Sequence, residues 1–346
     1  MVNGTLPMKV IYSSEHALHS PQTFLSSGRL TQSPEKPERG EILHAAAIAA
    51  GCEILAPVEH GVAPAASIHT PAYIHFLQNI HTRWQELPNA SDEVIPNIHP
   101  VSRTDSYPTS AVGQAGFHLG DTACPVGAGT YAAALAGSHC ATTAADLVLD
   151  GEPVAYALCR PPGHHASADL AGGFCFLNNS AIAAQRLRMQ HERVAIIDVD
   201  LHHGNGTQDI VQGNPKILFC SSFQHPLYPF NGTQQCPDNI HNVALSADTG
   251  SVEYRQGVEP WFDVIDNFAP QLIFISAGFD GHAADDISAH QLFDTDYHWL
   301  TEKLVDLAEK HSEGRIISLL EGGYAVNALG RTAVAHLKAL LKSDLH

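Results

Sequence analysis

The chain has 346 residues, 44% hydrophobic and 16% charged, which is ample for one large α/β domain or two smaller ones. Its net charge of −18, with 23 histidines counted as neutral, argues against nucleic acid and anionic membranes as partners and suits a cationic one. No run approaches the ~18 consecutive apolar residues of a membrane helix, and no charged-then-apolar leader precedes Met8, so a cytoplasmic protein is expected.

Lys9 to Ser13 reads as a first strand, with the residues before it as a frayed extension. His16 to Arg39 is loop-like, with Pro21, Pro34 and Pro37. An alanine-rich helix is predicted from Glu38 to Gly51, and another from Pro71 to Trp84. Residues 86–130 carry prolines 88, 96, 100, 108 and 125 and little periodicity. Such an irregular stretch of about 40 residues is unusual in a compact domain and is often a functional loop. A helix follows over 129–149, then strand 154–159, helix 179–190, strand 194–200 and strand 216–222. After a proline-rich loop, 226–237, come strand 271–276, helix 297–310, strand 315–320 and helix 332–342. Strands alternating with helices mean a parallel sheet covered on both faces. The seven cysteines include no Cys-x-x-Cys pair and read as reduced core residues.

The chemistry gathers where strands end. Val194 to Ile197 runs into Asp198, Asp200 and His202, spaced two apart and able to project to one side of an extended backbone. Two carboxylates and an imidazole at the end of a buried strand are costly to desolvate without a cation, so a divalent metal is implied. Asp280, after strand 271–276, supplies a third ligand beside Asp200 and His202 and leaves a coordination position open. That is the catalytic pattern for zinc, and the oxygen-rich set also accepts Fe(II) or Mn(II). His164 and His165, behind Pro161-Pro162-Gly163, read as a proton-transfer pair. Tyr324, after Gly322 and Gly323, reads as a donor to a developing oxyanion. Ligands in parallel sheets bind beyond the carboxyl ends of strands, and these motifs all follow strand-like runs, so they converge on one site.

Arg160-Pro-Pro-Gly-His-His-Ala, Gly173-Phe-Cys-Phe-Leu-Asn-Asn, Asp198-Val-Asp-Leu-His-His-Gly-Asn-Gly-Thr, Gly278-Phe-Asp and Glu321-Gly-Gly-Tyr together resemble the histone deacetylase superfamily, in order from about residue 9 to 340. The resemblance implies the arginase–deacetylase fold, with residues 1–346 as a single α/β domain around an eight-stranded parallel sheet. It implies zinc on Asp200, His202 and Asp280, a carbonyl-polarising Tyr324, and His164 and His165 serving the nucleophilic water and the leaving amine. By the same resemblance, Asp198 is expected behind His164 and Asn205 behind His165. Since a carboxylate favours imidazolium and a neutral amide does not, His164 is expected to be protonated and His165 to be the resting base. The resemblance further implies that Gly173 and Phe174 line an acyl-lysine-sized channel with Tyr228 opposite, and that a monovalent cation, normally potassium, sits near Asp198, Asp200, His202 and Ser221.

Segment 69–84 and the 86–130 insertion look like bacterial acetylpolyamine amidohydrolases. There the inserted loop helps build a homodimer and narrows the mouth. By this resemblance Asp121 lies at the channel rim as a candidate for binding a secondary ammonium. Val112 stands where some polyamine enzymes carry a glutamate. The expected reaction is zinc-dependent deacetylation of acetylated polyamines or diamines. The alternatives are the same chemistry on acetyl-lysine in proteins and a non-catalytic binding protein. A manganese ureohydrolase of the arginase type would need a second ligand set that Asp280-Gly281-His282 does not supply.

Overall fold

Eight strands form one sheet whose pairings are all parallel. The computed structural model describes residues 7–188, 190–343 and 345, and the expected N-terminal extension lies mostly outside them. In chain order the strands are β1 (Lys9–Ile11), a separate hairpin of β2 (Phe24–Ser26) and β3 (Arg29–Thr31), β4 (Glu53–Leu55), β5 (Val154–Ala157), β6 (Val194–Asp198), β7 (Ile217–Gln224), β8 (Ile240–Leu245), β9 (Leu272–Ala277) and β10 (Ile316–Leu320). The sheet order is β4-β1-β5-β10-β9-β6-β7-β8.

The inner six strands are the six that the apolar runs predict. Every residue of β6, β9 and β10 is buried, as expected of strands covered on both faces. The two edge strands were not foreseen. Glu53 in β4 is exposed, and β8 mixes His241 and Asn242 with apolar residues on a half-open edge, so neither makes a continuous apolar run. Alternation along β6 shows the two layers. Ala195 and Ile197 share a core with helices Pro260–Phe268, Asp294–His311 and Val326–Leu340. Val194 and Ile196 share the other with helices Thr130–Leu149 and Asn179–Leu187.

Two expectations need correction. The segment read as loop from His16 to Arg39 contains the β2–β3 hairpin. The 86–130 insertion is not irregular throughout: Ala111–His118 is a helix, capped by Ser110, whose Oγ accepts from Gly113 N–H at 3.1 Å. Gly113 and Gly116 weaken its helical signal in the sequence. Gly116 is needed because a Cβ there would overlap the Ile98 carbonyl. With helix Pro71–Gln85, this segment forms a third core of Tyr73, Phe76, Ile80, Val94, Ala115 and Leu119. The insertion is stitched to the main domain by Gly120 N–H to Ala171 O and Ala171 N–H to His118 O, both 2.8 Å.

Candidate active site

The segments leaving β5, β6, β9 and β10 at their carboxyl ends carry every group of the expected centre. Asp200, His202 and Asp280 are buried, with ligand atoms within 4.8 Å of one another. His202 Nδ1 lies 2.9 Å from Asp280 Oδ2 and 3.2 Å from Asp200 Oδ1. Backbone donors hold the carboxylates: Leu201 N–H to Asp280 Oδ1 at 2.9 Å, His202 N–H to Asp200 Oδ1 at 2.8 Å, and Gly322 N–H to Asp200 Oδ2 at 2.9 Å. A Cβ at Gly322 would stand 2.6 Å from an oxygen of both Asp200 and Asp280, so glycine is required to close the cradle. Burial and the neighbouring Asp200 push the Asp280 carboxyl up to about 6. Two crowded buried carboxylates and one imidazole fit a divalent cation.

The adjacent histidines have opposite surroundings. His164 Nδ1 is 3.0 Å from Asp198 Oδ2 and its Nε2 is 3.7 Å from Asp200 Oδ1. Burial works against its charge, but Asp200 and Asp198 outweigh it and hold the imidazole well above its usual value. His165 Nδ1 lies 2.7 Å from Asn205 Oδ1. Burial and the charges of His164 and His202 drive it well below the usual range. Its Nδ1–H donates to the amide oxygen, leaving Nε2 with a free lone pair.

Tyr324 is set by two groups the sequence did not reveal. Asp285 Oδ2 accepts from the backbone N–H of Tyr324 at 2.6 Å and of Ala325 at 3.0 Å. The Arg39 guanidinium lies 4.7 Å from the Tyr324 ring centroid and donates to Gly323 O at 2.5 Å and Glu321 O at 2.7 Å. Buried Glu35 pairs with both Arg39 and Arg160, each at 2.8 Å. Burial pushes the Tyr324 phenol well above its usual value, so it stays a neutral donor. Glu321 is a further buried residue without an assigned role in the sequence. Its Oε2 accepts from Gly163 N–H at 2.7 Å and His164 N–H at 3.0 Å, orienting the histidine turn. Cys175 lies close to Glu321 and His164, but burial pushes its thiol well above the usual value and leaves it a poor ligand. The position of Glu321 in the Glu-Gly-Gly-Tyr motif was a signal; nothing local marked Arg39.

The channel residues also converge. Gly173 and Phe174 turn with φ of 50° and 70°. The Phe174 ring centroid lies 5.5 Å from that of Tyr324 and 5.6 Å from that of Phe24, so the β2–β3 hairpin extends this wall. The Tyr228 ring packs nearly perpendicular to that of His165, with centroids 5.0 Å apart and planes at 84°. The Asp121 carboxylate does not stand free at the rim: it accepts from Tyr228 Oη, Gly173 N–H and Ala123 N–H. Val112 packs on the third core. Ser221 is the register partner of Asp198, and its Oγ accepts from Gly204 N–H at 3.3 Å.

Three clustered ligand donors beyond the carboxyl edge of a parallel sheet, beside a differentiated histidine pair, form a candidate site for metal-assisted hydrolysis. The histone deacetylase motifs noted above agree with direct comparison. The family described as "Histone deacetylase domain" matches residues 33–340. Acetylpolyamine amidohydrolase of Burkholderia pseudomallei (strain 1710b) is 37% identical over 336 residues, covering 94% of this chain and 96% of that protein. Acetylpolyamine amidohydrolase 1 of Pseudomonas aeruginosa is 36% identical over 340 residues, covering 94% and 97%. The crystal structure of acetylpolyamine aminohydrolase from Burkholderia pseudomallei superposes with a TM-score of 0.90 at 35% identity, covering 96% of this chain and 98% of that one. The chain belongs to the histone deacetylase family.

Proposed function

We propose that this protein deacetylates acetylated polyamines or diamines, giving acetate and free amine. The observation that carries this reading is the buried cluster of Asp200, His202 and Asp280 beside the buried His164–His165 pair, with the half-buried Tyr324 following β10, in a chain similar over 94% of its length to acetylpolyamine amidohydrolases. The acidic chain suits a cationic substrate.

Asp200, His202 and Asp280 would hold the metal, zinc by preference, with Fe(II) or Mn(II) as alternatives. When bound, it supplies a Lewis acid that polarises the acetyl carbonyl and lowers the pKa of water. His165 Nε2 takes a proton from the attacking water and returns it to the departing amine. Asn205 fixes the tautomer that makes this exchange possible. His164, kept protonated by Asp198 and Asp200, adds positive charge beside the developing oxyanion. The Tyr324 hydroxyl donates to that oxygen, and Arg39 and Asp285 keep the tyrosine in place. Gly173, Phe174 and Tyr228 wall an unbranched chain and exclude bulk water.

The same reading places potassium by Asp198, Asp200, His202 and Ser221, and a homodimer on the inserted segment, whose Ile98, Val101 and Tyr107 are exposed apolar residues. All seven cysteines are free, as suits a cytoplasmic enzyme. The test is acetate release by zinc-loaded protein from acetylputrescine, acetylcadaverine and acetylspermidine beside an acetyl-lysine peptide. Preference for the free acetylamines supports the reading. Preference for the peptide keeps the site chemistry and replaces the substrate with protein acetyl-lysine.

A further inference from the structure

Tyr228 does more than present a ring. Its hydroxyl donates to Asp121 Oδ2 at 2.7 Å, and the same oxygen accepts Gly173 N–H at 2.9 Å. Asp121 Oδ1 takes Ala123 N–H at 2.8 Å. No arginine, lysine or histidine pairs with Asp121 among the described residues, so neutral donors alone satisfy it. One carboxylate thus joins three segments far apart in the chain: the end of the insertion, the Gly172–Gly173 turn and the proline-rich loop. The contact is close. A Cβ at Gly172 would stand 3.0 Å from Tyr228 Oη, and one at Gly173 would stand 2.9 Å from Tyr228 Cε1. The ring therefore abuts the turn's backbone, while it also packs nearly perpendicular to the His165 ring. A phenylalanine would supply the same ring and lose only the tie.

We propose that Asp121 and Tyr228 are positioning residues that latch the channel wall, fixing its width so that an unbranched acetylamine passes and a branched one does not. This rests on the reading of the chain as a hydrolase of slender acetylamines. It gives Asp121 a different task from direct capture of a substrate ammonium. Burial and Asp121 together hold the Tyr228 phenol far above its usual range, so the donor persists across working pH.

The experiment uses zinc-loaded full-length protein, the variants Tyr228→Phe and Asp121→Asn, and the double variant. The substrates are acetylputrescine, uncharged N-butylacetamide and branched N-isobutylacetamide. Loss of one buried hydrogen bond predicts that Tyr228→Phe raises KM for both unbranched amides about 3- to 10-fold, with a smaller fall in kcat. The branched amide should gain relative to them. Asp121→Asn should do the same, and the double variant should be no worse than the poorer single one. Additive losses overturn the latch. So does an Asp121→Asn loss confined to acetylputrescine, which would mark Asp121 as an ammonium ligand. Hydrogen exchange over residues 171–175 needs no substrate, so it separates the latch from the choice of substrate: exchange should quicken about tenfold or more in both variants. Unchanged exchange in both overturns the latch even if every amide proves inert.

Discussion

The candidate metal centre and the wall proposed around Tyr228 lie side by side, Tyr228 packing on His165 and His202, but they are built in different ways. The centre stands on strand ends. Asp200 and His202 follow β6, Asp280 follows β9, and backbone N–H groups of the same region fix their oxygens. The wall stands on loops that have no common element, and the carboxylate of Asp121 joins all three of them. A centre that must place charge to a fraction of an ångström draws on the rigid sheet. A wall that selects among substrates can be altered by loop changes that leave the centre intact.

The sharpest way to break this comparison is to remove a ligand. Asp280→Ala should lower kcat/KM by about 10³-fold or more, as loss of a central catalytic group does. Bound zinc, measured by mass spectrometry of the metal, should drop well below one per chain. Wall variants such as Tyr228→Phe should retain full zinc. Equal metal loss in both would mean that wall and centre are one unit.

Next in size come the histidines. His165→Ala should cost about 10²- to 10⁴-fold in kcat, because it removes the member of the histidine pair that keeps a free lone pair. His164→Ala should cost less, since its role is charge and not proton exchange. Single-variant rates within a factor of about two of each other would refute the division of labour drawn from Asp198 and Asn205.

Glu321 tests how the centre is held. In Glu321→Ala the buried N–H groups of Gly163 and His164 lose their acceptor, at about 1–3 kcal/mol each. Glu321→Gln keeps a carbonyl oxygen for both and should lose less than about 1 kcal/mol. Urea unfolding of the two variants measures the difference. Similar midpoints would show that the histidine turn does not depend on this acceptor.

What could be read from the chain follows the same division. Asp200 and His202 are two residues apart, and Asp280 and Tyr324 each follow an apolar run, so local pattern read together with the family motifs pointed to them. The latch joins Asp121 to Tyr228, and Arg39 crosses most of the chain to reach Tyr324. Such pairings depend on how loops fold back, which no short-range periodicity records. The strands divide likewise. β6 and β9, covered on both faces, are continuous apolar runs, whereas the edge strands β4 and β8 carry polar and half-exposed residues that blur the signal. Helix Ala111–His118 was hidden by the two glycines that let it approach its neighbours.

His336 supplies the smallest test and shows what burial does when no carboxylate answers it. It is as deeply buried as His164, yet its Nδ1 meets Thr301 Oγ1 and its Nε2 meets Ser318 Oγ, both at 2.7 Å. Burial, with a lesser push from His298, lowers it to about 3. In the unfolded chain it titrates near ~6.5, so between these values the unfolded state binds the extra proton. Its contribution is therefore complete above about pH 6.5 and fades as pH falls toward 3. At about pH 5 the loss is about 2 kcal/mol. His336→Gln can still hydrogen-bond but cannot titrate. Its unfolding free energy, measured from pH 7.5 to 5, should start below that of the parent and fall less steeply. Parallel curves would mean that the parent accepts the proton in place, and that burial at His336 is more permissive than at His165.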